Sequence, residues 1–126
     1  IRTYKKEKLE EILVKIQAAV KEIEESRKVT IKRKELLNQP CQKLDDEIRA
    51  AIGEGILQTG EVKKQMISMA GHDAANMGLL TKAGMIFVKS VGGMGHCRQE
   101  YSRKEDIVKA ADALFYTLIK LDKELD

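Results

Sequence analysis

Apolar residues recur along the chain at spacings that predict two types of regular element. Spacings of three and four residues predict amphipathic helices over Tyr4–Ser26, Leu44–Leu57 and Ser102–Lys123. The apolar stripe of the first helix could also be the seam of a coiled coil. Because this stripe spans only three heptads, packing of the helix against a sheet is favoured. The predicted buried stripe of the last helix consists of Ile107, Ala110, Ala111, Leu114, Leu118 and Leu121.

Three segments between these helices have the pattern of strands. Val29–Leu37 begins with alternating apolar and polar residues, which predicts a half-buried strand, and Lys64–Met69 is expected to be extended. Ala83–Val88 contains a continuous apolar run, which is typical of a strand buried on both faces. With a short helix ending near Leu80, the order alternates between helix and strand and predicts an α/β fold with helices packed on a sheet.

Composition narrows the range of functions. The length of 126 residues suits one domain or pieces of two. Hydrophobic residues make up 43%, which is enough to form a core. Aromatic residues make up 4%, tryptophan is absent and the net charge is only +3, so the sequence does not predict nucleic-acid binding. The basic residues between positions 27 and 34 are interpreted as a solvated surface.

Two cysteines, Cys41 and Cys97, lie far apart and form no CxxC pair. A disulfide between them is possible, but nothing in the sequence requires one, so we expect a reducing, cytoplasmic setting. No apolar run approaches the ~20 residues of a membrane span, and we expect neither a membrane partner nor a signal peptide. The chain begins with Ile1 instead of Met, so we expect that some sequence is missing upstream.

The two histidines, His72 and His96, each follow a glycine in a loop of small residues after an extended segment. Ligands in α/β sheets gather beyond the carboxyl ends of strands, so the two histidines could share one site; the alternative is that both are ordinary surface or core residues. Asp73 and Glu100 could orient these imidazoles. For Glu100 the alternative is that it only begins the approach to the last helix.

The chain lacks most of what a complete hydrolytic metal site needs. Such a site requires roughly three protein ligands per metal and a general base near the attacking water. Two histidines and scattered acids do not supply these groups, and HExxH, P-loop, GxGxxG and GxSxG motifs are absent from the sequence. Taken alone, the sequence is catalytically incomplete.

Three segments at fixed spacings resemble the C-terminal end of one enzyme family: Ser68–Met77, Gly84–Val88, and Gly92–His96 with the Glu-Tyr pair that follows. They are similar to N-carbamoyl-L-amino-acid amidohydrolases, allantoate amidohydrolases and ureidopropionases, which belong to the aminoacylase and carboxypeptidase group of dinuclear metallohydrolases. The resemblance implies that residues 1–38 end an α+β lid (dimerisation) domain. Residues 39–126 would then form the C-terminal part of a helix-sheet-helix catalytic domain.

The resemblance also implies a role for individual residues. His96 would be a metal ligand, in an intact site with two divalent ions, zinc or manganese. His72 would bind substrate, Asp73 would orient that element, and the backbone at Gly93 would face the substrate. Arg2 would match an arginine that grips the substrate carboxylate. No catalytic residue is implied in this chain, because the family's bridging Asp and catalytic Glu match no position here.

The chain departs from the family pattern near the metal histidine. Gly95 stands where serine is common, Cys97 and Arg98 where small residues or proline are common, and Lys89 where proline is usual. These departures leave the substrate undefined.

The resemblance therefore implies the C-terminal part of a metal-dependent amidohydrolase that cleaves a carbamoyl or ureido C–N bond in a small-molecule substrate. We expect this chain to be inactive alone. The alternative is a non-catalytic remnant that works as an association module. Under both hypotheses we expect self-association, as a homodimer or another assembly.

Overall fold

The structure, a computed structural model, describes residues 1–123. Three predicted long helices are confirmed, with ends displaced by one or two residues, as is usual where helix ends fray. A short helix is also confirmed after His72, although it ends before Leu80. The elements are α1 (Lys6–Arg27), α2 (Asp46–Gln58), α3 (Asp73–Met77), a 3₁₀ turn (Val91–Gly93) and α4 (Lys104–Lys123).

Residues 1–123 contain no β-strand, so the predicted α/β fold is not confirmed. The segments predicted as strands, Val29–Leu37, Lys64–Met69 and Ala83–Val88, are irregular. A strand forms only when a neighbouring strand takes up its backbone hydrogen bonds, and the described residues provide no such neighbour. The apolar pattern of residues 83–88 therefore indicates that the segment is suited to burial, but this pattern alone does not make it a strand.

The chain divides into two compact units. The first contains Ile1–Gln42 and Ile67–Ala70. Within it, the residue that caps the C-terminal end of α1, Lys28, has a left-handed conformation. Glu24 Oε1 accepts a hydrogen bond of 2.8 Å from the Ile31 amide. The carboxylate of Glu24 thus fixes the direction in which the chain leaves α1. The division into a lid over residues 1–38 and a catalytic domain over 39–126 stays a prediction.

In the second unit, α2 and α4 pack together through small residues. Ala51 and Ala113 are 1% and 2% exposed, and the buried Thr117 hydroxyl donates to the Ala113 carbonyl at 2.7 Å. A Cβ added to Gly55 would lie 2.5 Å from both the Ala113 carbonyl oxygen and Thr117 Oγ1. The backbones of the two helices therefore approach each other closely at Gly55.

The prediction of which α4 face is buried was wrong for three of its four large residues, since Leu121 is half-buried. Ile107, Leu114 and Leu118 are 51%, 50% and 56% exposed. A close approach of two helix backbones favours small side chains at the contact, so α4 turns Ala113 and Thr117 towards α2 instead. Most of the apolar stripe predicted from the sequence consequently lies at the surface of the described chain, while Ala110 and Leu121 are half-buried.

The start of α2 holds the apolar segment of residues 83–88. Asp45 caps the helix by accepting from the amides of Glu47 (2.9 Å) and Ile48 (3.0 Å). The Asp45 amide itself donates to the Ala83 carbonyl at 3.0 Å. A Cβ on the next residue, Gly84, would collide with the side chain of Ile48. The helix cap and the glycine together seat this segment directly against α2.

Candidate functional site

His96 lies in a loop that connects the apolar segment to α4. The base of this loop is closed by a hydrogen bond of 2.8 Å from the Val91 amide to the Tyr101 carbonyl. The Ser90 hydroxyl donates to the Met94 carbonyl across the inside of the loop. Sequence reasoning missed Ser90, although a hydroxyl residue two positions before a pair of glycines is the signal that could have indicated it.

The turn within this loop depends on its two glycines. Gly92 and Gly93 have φ angles of 71° and 67°, in the left-handed region that glycine enters without steric cost. The Gly93 amide donates to the Ser90 carbonyl at 3.0 Å, which completes the turn. Both glycines are exposed, and the predicted contact of the Gly93 backbone with substrate stays a prediction.

His96 also has a left-handed backbone, with φ at 56°, which is uncommon for a residue with a side chain. Its amide donates to Glu100 Oε2 at 2.7 Å, a short, charge-assisted bond. The Glu100 amide in turn donates to the Cys97 carbonyl at 3.1 Å. The sequence indicated that Glu100 could orient His96, and the structure places its carboxylate on the backbone of that histidine.

His72 stands at the entry to α3 and is half-buried. Its ring meets the Phe87 ring edge-on, with centroids 5.6 Å apart and an angle of 74°. Asp73 occupies the first turn of α3, where the helix dipole favours an acidic side chain. Phe87 belongs to the apolar segment that leads to the His96 loop. The apolar segment of residues 83–88 thus contacts His72 through Phe87 and leads directly into the loop that contains His96.

Arg2 lies in the first unit, whereas His72, Asp73, Gly93 and His96 lie in the second. The Arg2 guanidinium donates through Nη1 to the Met69 carbonyl at 3.0 Å, within the first unit. Both partners of this bond belong to the first unit. Its predicted role in gripping a substrate carboxylate stays a prediction.

The donor groups of residues 1–123 do not form a metal site by themselves. No group of three or more His, Cys, Asp or Glu side chains in this part of the chain could hold an ion. A protein metal site normally needs at least three such ligands, so the role of His96 as a metal ligand stays a prediction. Cys97 beside it is an exposed free thiol, as is Cys41.

A cluster of charges braces the start of the His96 loop against α4. Glu61 Oε2 lies 3.2 Å from Lys89 Nζ, and the Glu61 carboxylate also pairs with Lys109 of α4. The hydrogen bond from Lys109 lowers the pKa of Glu61 most, and the hydrogen bond from Lys89 lowers it further. The same bond to Glu61 raises the pKa of Lys109. Sequence reasoning missed this cluster, because its members are scattered along the chain without a common motif.

Both histidine elements lie within the stretch of the chain that a protein-family model matches. The chain belongs to peptidase family M20/M25/M40, whose family model matches residues 5–120. No helix in the described part of the chain is long and apolar enough to cross a membrane.

Curated relatives of this chain include proteins named as hydrolases and amidohydrolases. It is 32% identical to ureidoglycolate hydrolase of Arabidopsis thaliana over 111 residues, which cover 87% of this chain and 23% of that enzyme. It is 37% identical over 78 residues to allantoate amidohydrolase of Bacillus subtilis (strain 168), covering 62% of this chain and 19% of that enzyme.

A third relative is N-carbamoyl-L-amino acid amidohydrolase of Geobacillus stearothermophilus, 26% identical over 121 residues. That match covers 96% of this chain and 30% of the enzyme. The chain thus spans between about a fifth and a third of the length of these relatives. No solved structure matches it significantly.

Proposed function

We propose that this chain supplies the His72 and His96 elements of an amidohydrolase that cleaves C–N bonds of carbamoyl or ureido groups. The observation that carries the proposal is the family match over residues 5–120, with relatives named for allantoate, ureidoglycolate and N-carbamoyl-L-amino acids. The braced loop supports it, because a site residue must be held in a defined position before the ligand arrives.

In this proposal His96 is a ligand of a divalent metal, zinc or manganese, in an active site completed by residues that this chain does not contribute. His72 and the Gly93 backbone bind the substrate, Asp73 orients the His72 element, and Arg2 binds the substrate carboxylate. The exposure of His96 supports the assignment, since a ligand to a shared ion must be reachable from outside its own loop.

The chain by itself is expected to be inactive, because residues 1–123 offer no group of three metal ligands. The test is to mix the purified chain with zinc or manganese and to assay allantoate, ureidoglycolate and a panel of N-carbamoyl-L-amino acids. We expect no release of ammonia above a metal-only control. Clear hydrolysis by the chain alone would refute this part of the proposal.

A chimeric enzyme tests the contribution of the chain directly. The 111 matched residues of the Arabidopsis thaliana ureidoglycolate hydrolase would be replaced by this chain's equivalents. We expect the chimera to hydrolyse ureidoglycolate and its His96→Ala variant to lose at least ~100-fold in kcat/KM, as expected for loss of a metal ligand. Gln99→Ala, three residues away, is the matched control. A His96→Ala chimera as active as its parent would contradict the assignment.

The second candidate is a non-catalytic association module, and the exposed stripe of α4 is the observation that favours it. Large apolar residues on one helix face are commonly covered by another polypeptide. Self-association, as a homodimer or another assembly, is proposed under both functions. The cytoplasmic setting and the exclusion of nucleic-acid and membrane partners stay predictions.

A further inference from the structure

We propose that Glu100 is a positioning residue that fixes the backbone of His96 and so sets the direction in which its imidazole leaves the loop. This inference rests on the proposed function for the importance of His96. Its geometric content concerns this chain alone.

The backbone of His96 needs a compensating interaction. At φ 56° the residue is in the left-handed region, where its Cβ crowds the following carbonyl. The Glu100 carboxylate accepts the His96 amide at 2.7 Å, and hydrogen bonds to an ionised acceptor are the stronger kind. Without that acceptor, His96 would relax to ordinary negative φ values and its Cα–Cβ bond would point elsewhere.

Backbone hydrogen bonds hold Glu100 and its neighbour Tyr101 in place. The Glu100 amide donates to the Cys97 carbonyl at 3.1 Å, which closes the turn between His96 and Glu100. The next residue, Tyr101, accepts from the Val91 amide at the base of the loop. The carboxylate therefore acts from a fixed point of the loop instead of from a free side chain.

Other uses of the Glu100 carboxylate find no support in the described part of the chain. It belongs to none of the ion pairs there, which involve the acids of α1, the start of α2, Glu54, Glu61 and Asp106. Its carboxylate accepts a hydrogen bond from the His96 amide. The Glu100 carboxylate therefore acts on the backbone of His96, four residues earlier in the chain.

The test is NMR spectroscopy of the full chain, without metal or substrate, on wild type, Glu100→Ala, Glu100→Gln and the control Gln99→Ala. A left-handed residue gives a strong nuclear Overhauser effect between its own amide and α protons. We expect this signal at His96 in wild type and control, its loss in Glu100→Ala, and its retention in Glu100→Gln, which keeps an acceptor oxygen.

Amide exchange provides a second readout. In Glu100→Ala the His96 amide should exchange faster by on the order of tenfold, as expected for loss of a hydrogen bond to a charged group, while Thr117 in the α2–α4 contact keeps its rate. Wild-type behaviour of His96 in Glu100→Ala would overturn the inference, and so would a Glu100→Gln variant that behaves like Glu100→Ala. Because no turnover is measured, failure of the chimera experiment would leave this result unaffected.

Discussion

Gly55 illustrates how one residue determines the contact between two helices. From helix propensity alone, Gly55 is expected to weaken α2, since a glycine within a helix destabilises it by about 1 kcal/mol relative to alanine. In the structure a Cβ at this position would lie 2.5 Å from the Ala113 carbonyl oxygen. The absence of a side chain is therefore what allows α4 to approach. The sequence contains no signal for this role, because the partner residues lie far along the chain.

We expect Gly55→Ala to destabilise the chain by about 1–3 kcal/mol, the usual cost of overpacking. The sign is informative, because alanine in an open helical position would stabilise by about 1 kcal/mol instead. Urea unfolding followed by circular dichroism measures the change. Gly71→Ala is the control, since its Cβ would meet nothing within 4 Å. A gain in stability for Gly55→Ala would contradict the close approach.

At the scale of elements, the hydrophobic periodicity located the helices but not their contacts. The pattern of α4 predicts burial of Leu114 and Leu118, and both are at least half exposed. Periodicity reports which face of a helix is apolar, whereas the partner decides which face is covered. The irregular segment of residues 83–88 illustrates the same limit, because a strand needs hydrogen bonds from a neighbour that its own sequence does not encode.

Substitutions on the two faces of α4 should differ in their effect on stability. Ala113→Leu places a large side chain in the contact with α2, and we expect a loss of about 1–3 kcal/mol. At concentrations low enough to keep the chain monomeric, Leu118→Ser on the exposed face should change the free energy of unfolding by less than about 0.5 kcal/mol. Urea midpoints measure both. A larger loss for Leu118→Ser than for Ala113→Leu would show that the sequence-based face is the packed one.

The charge cluster around Glu61 predicts how stability depends on pH. Its pKa lies below the ordinary 4.5 because Lys109 and Lys89 stabilise the ionised form. A carboxyl whose pKa is lowered by folding stabilises the fold above its unfolded pKa, and this contribution is lost as the pH falls through the lowered value. Wild type should therefore be more stable than Glu61→Gln at neutral pH, and the difference should shrink below pH 4.5.

Urea midpoints of both proteins at neutral and acidic pH measure this effect. Added salt should reduce the difference at neutral pH, because the pairs are partly exposed and screened. Glu54→Gln is a comparison variant, since Glu54 pairs with a single lysine of the same α4, Lys120 at 2.6 Å, whereas Glu61 pairs with two lysines. A difference between wild type and Glu61→Gln that grows on acidification would contradict the assigned ion pairs.

At the scale of the whole molecule, residues 1–123 bury few large apolar side chains. Ala51, Ile52 and Ala113 are the buried hydrophobic residues of the described chain. The sequence motif identified the family, and the match over residues 5–120 confirms it. The motif could not reveal how the two histidine elements are held, because the hydrogen bonds at the His96 loop and the contact of His72 with Phe87 depend on the folded chain.

We expect the isolated chain to self-associate through the exposed α4 stripe, because large apolar patches favour association in water. Sedimentation velocity at increasing concentration should show species above the monomer. The double variant Leu114→Ser and Leu118→Ser should shift the distribution towards monomer, whereas Asp112→Ser on the same helix should not. A monomeric wild type at all concentrations would refute this expectation.

The contact at Gly55 also determines how the second unit folds. Before α2 and α4 can meet, the chain must close the entire stretch from Thr59 to Arg103, so this pairing forms late relative to the helices themselves. The entropy of closing such a loop rises by only about 0.6 kcal/mol for each doubling of its length. The loop around Gly95, where an added Cβ meets nothing within 4 Å, should therefore accept an inserted peptide while the helix pair persists.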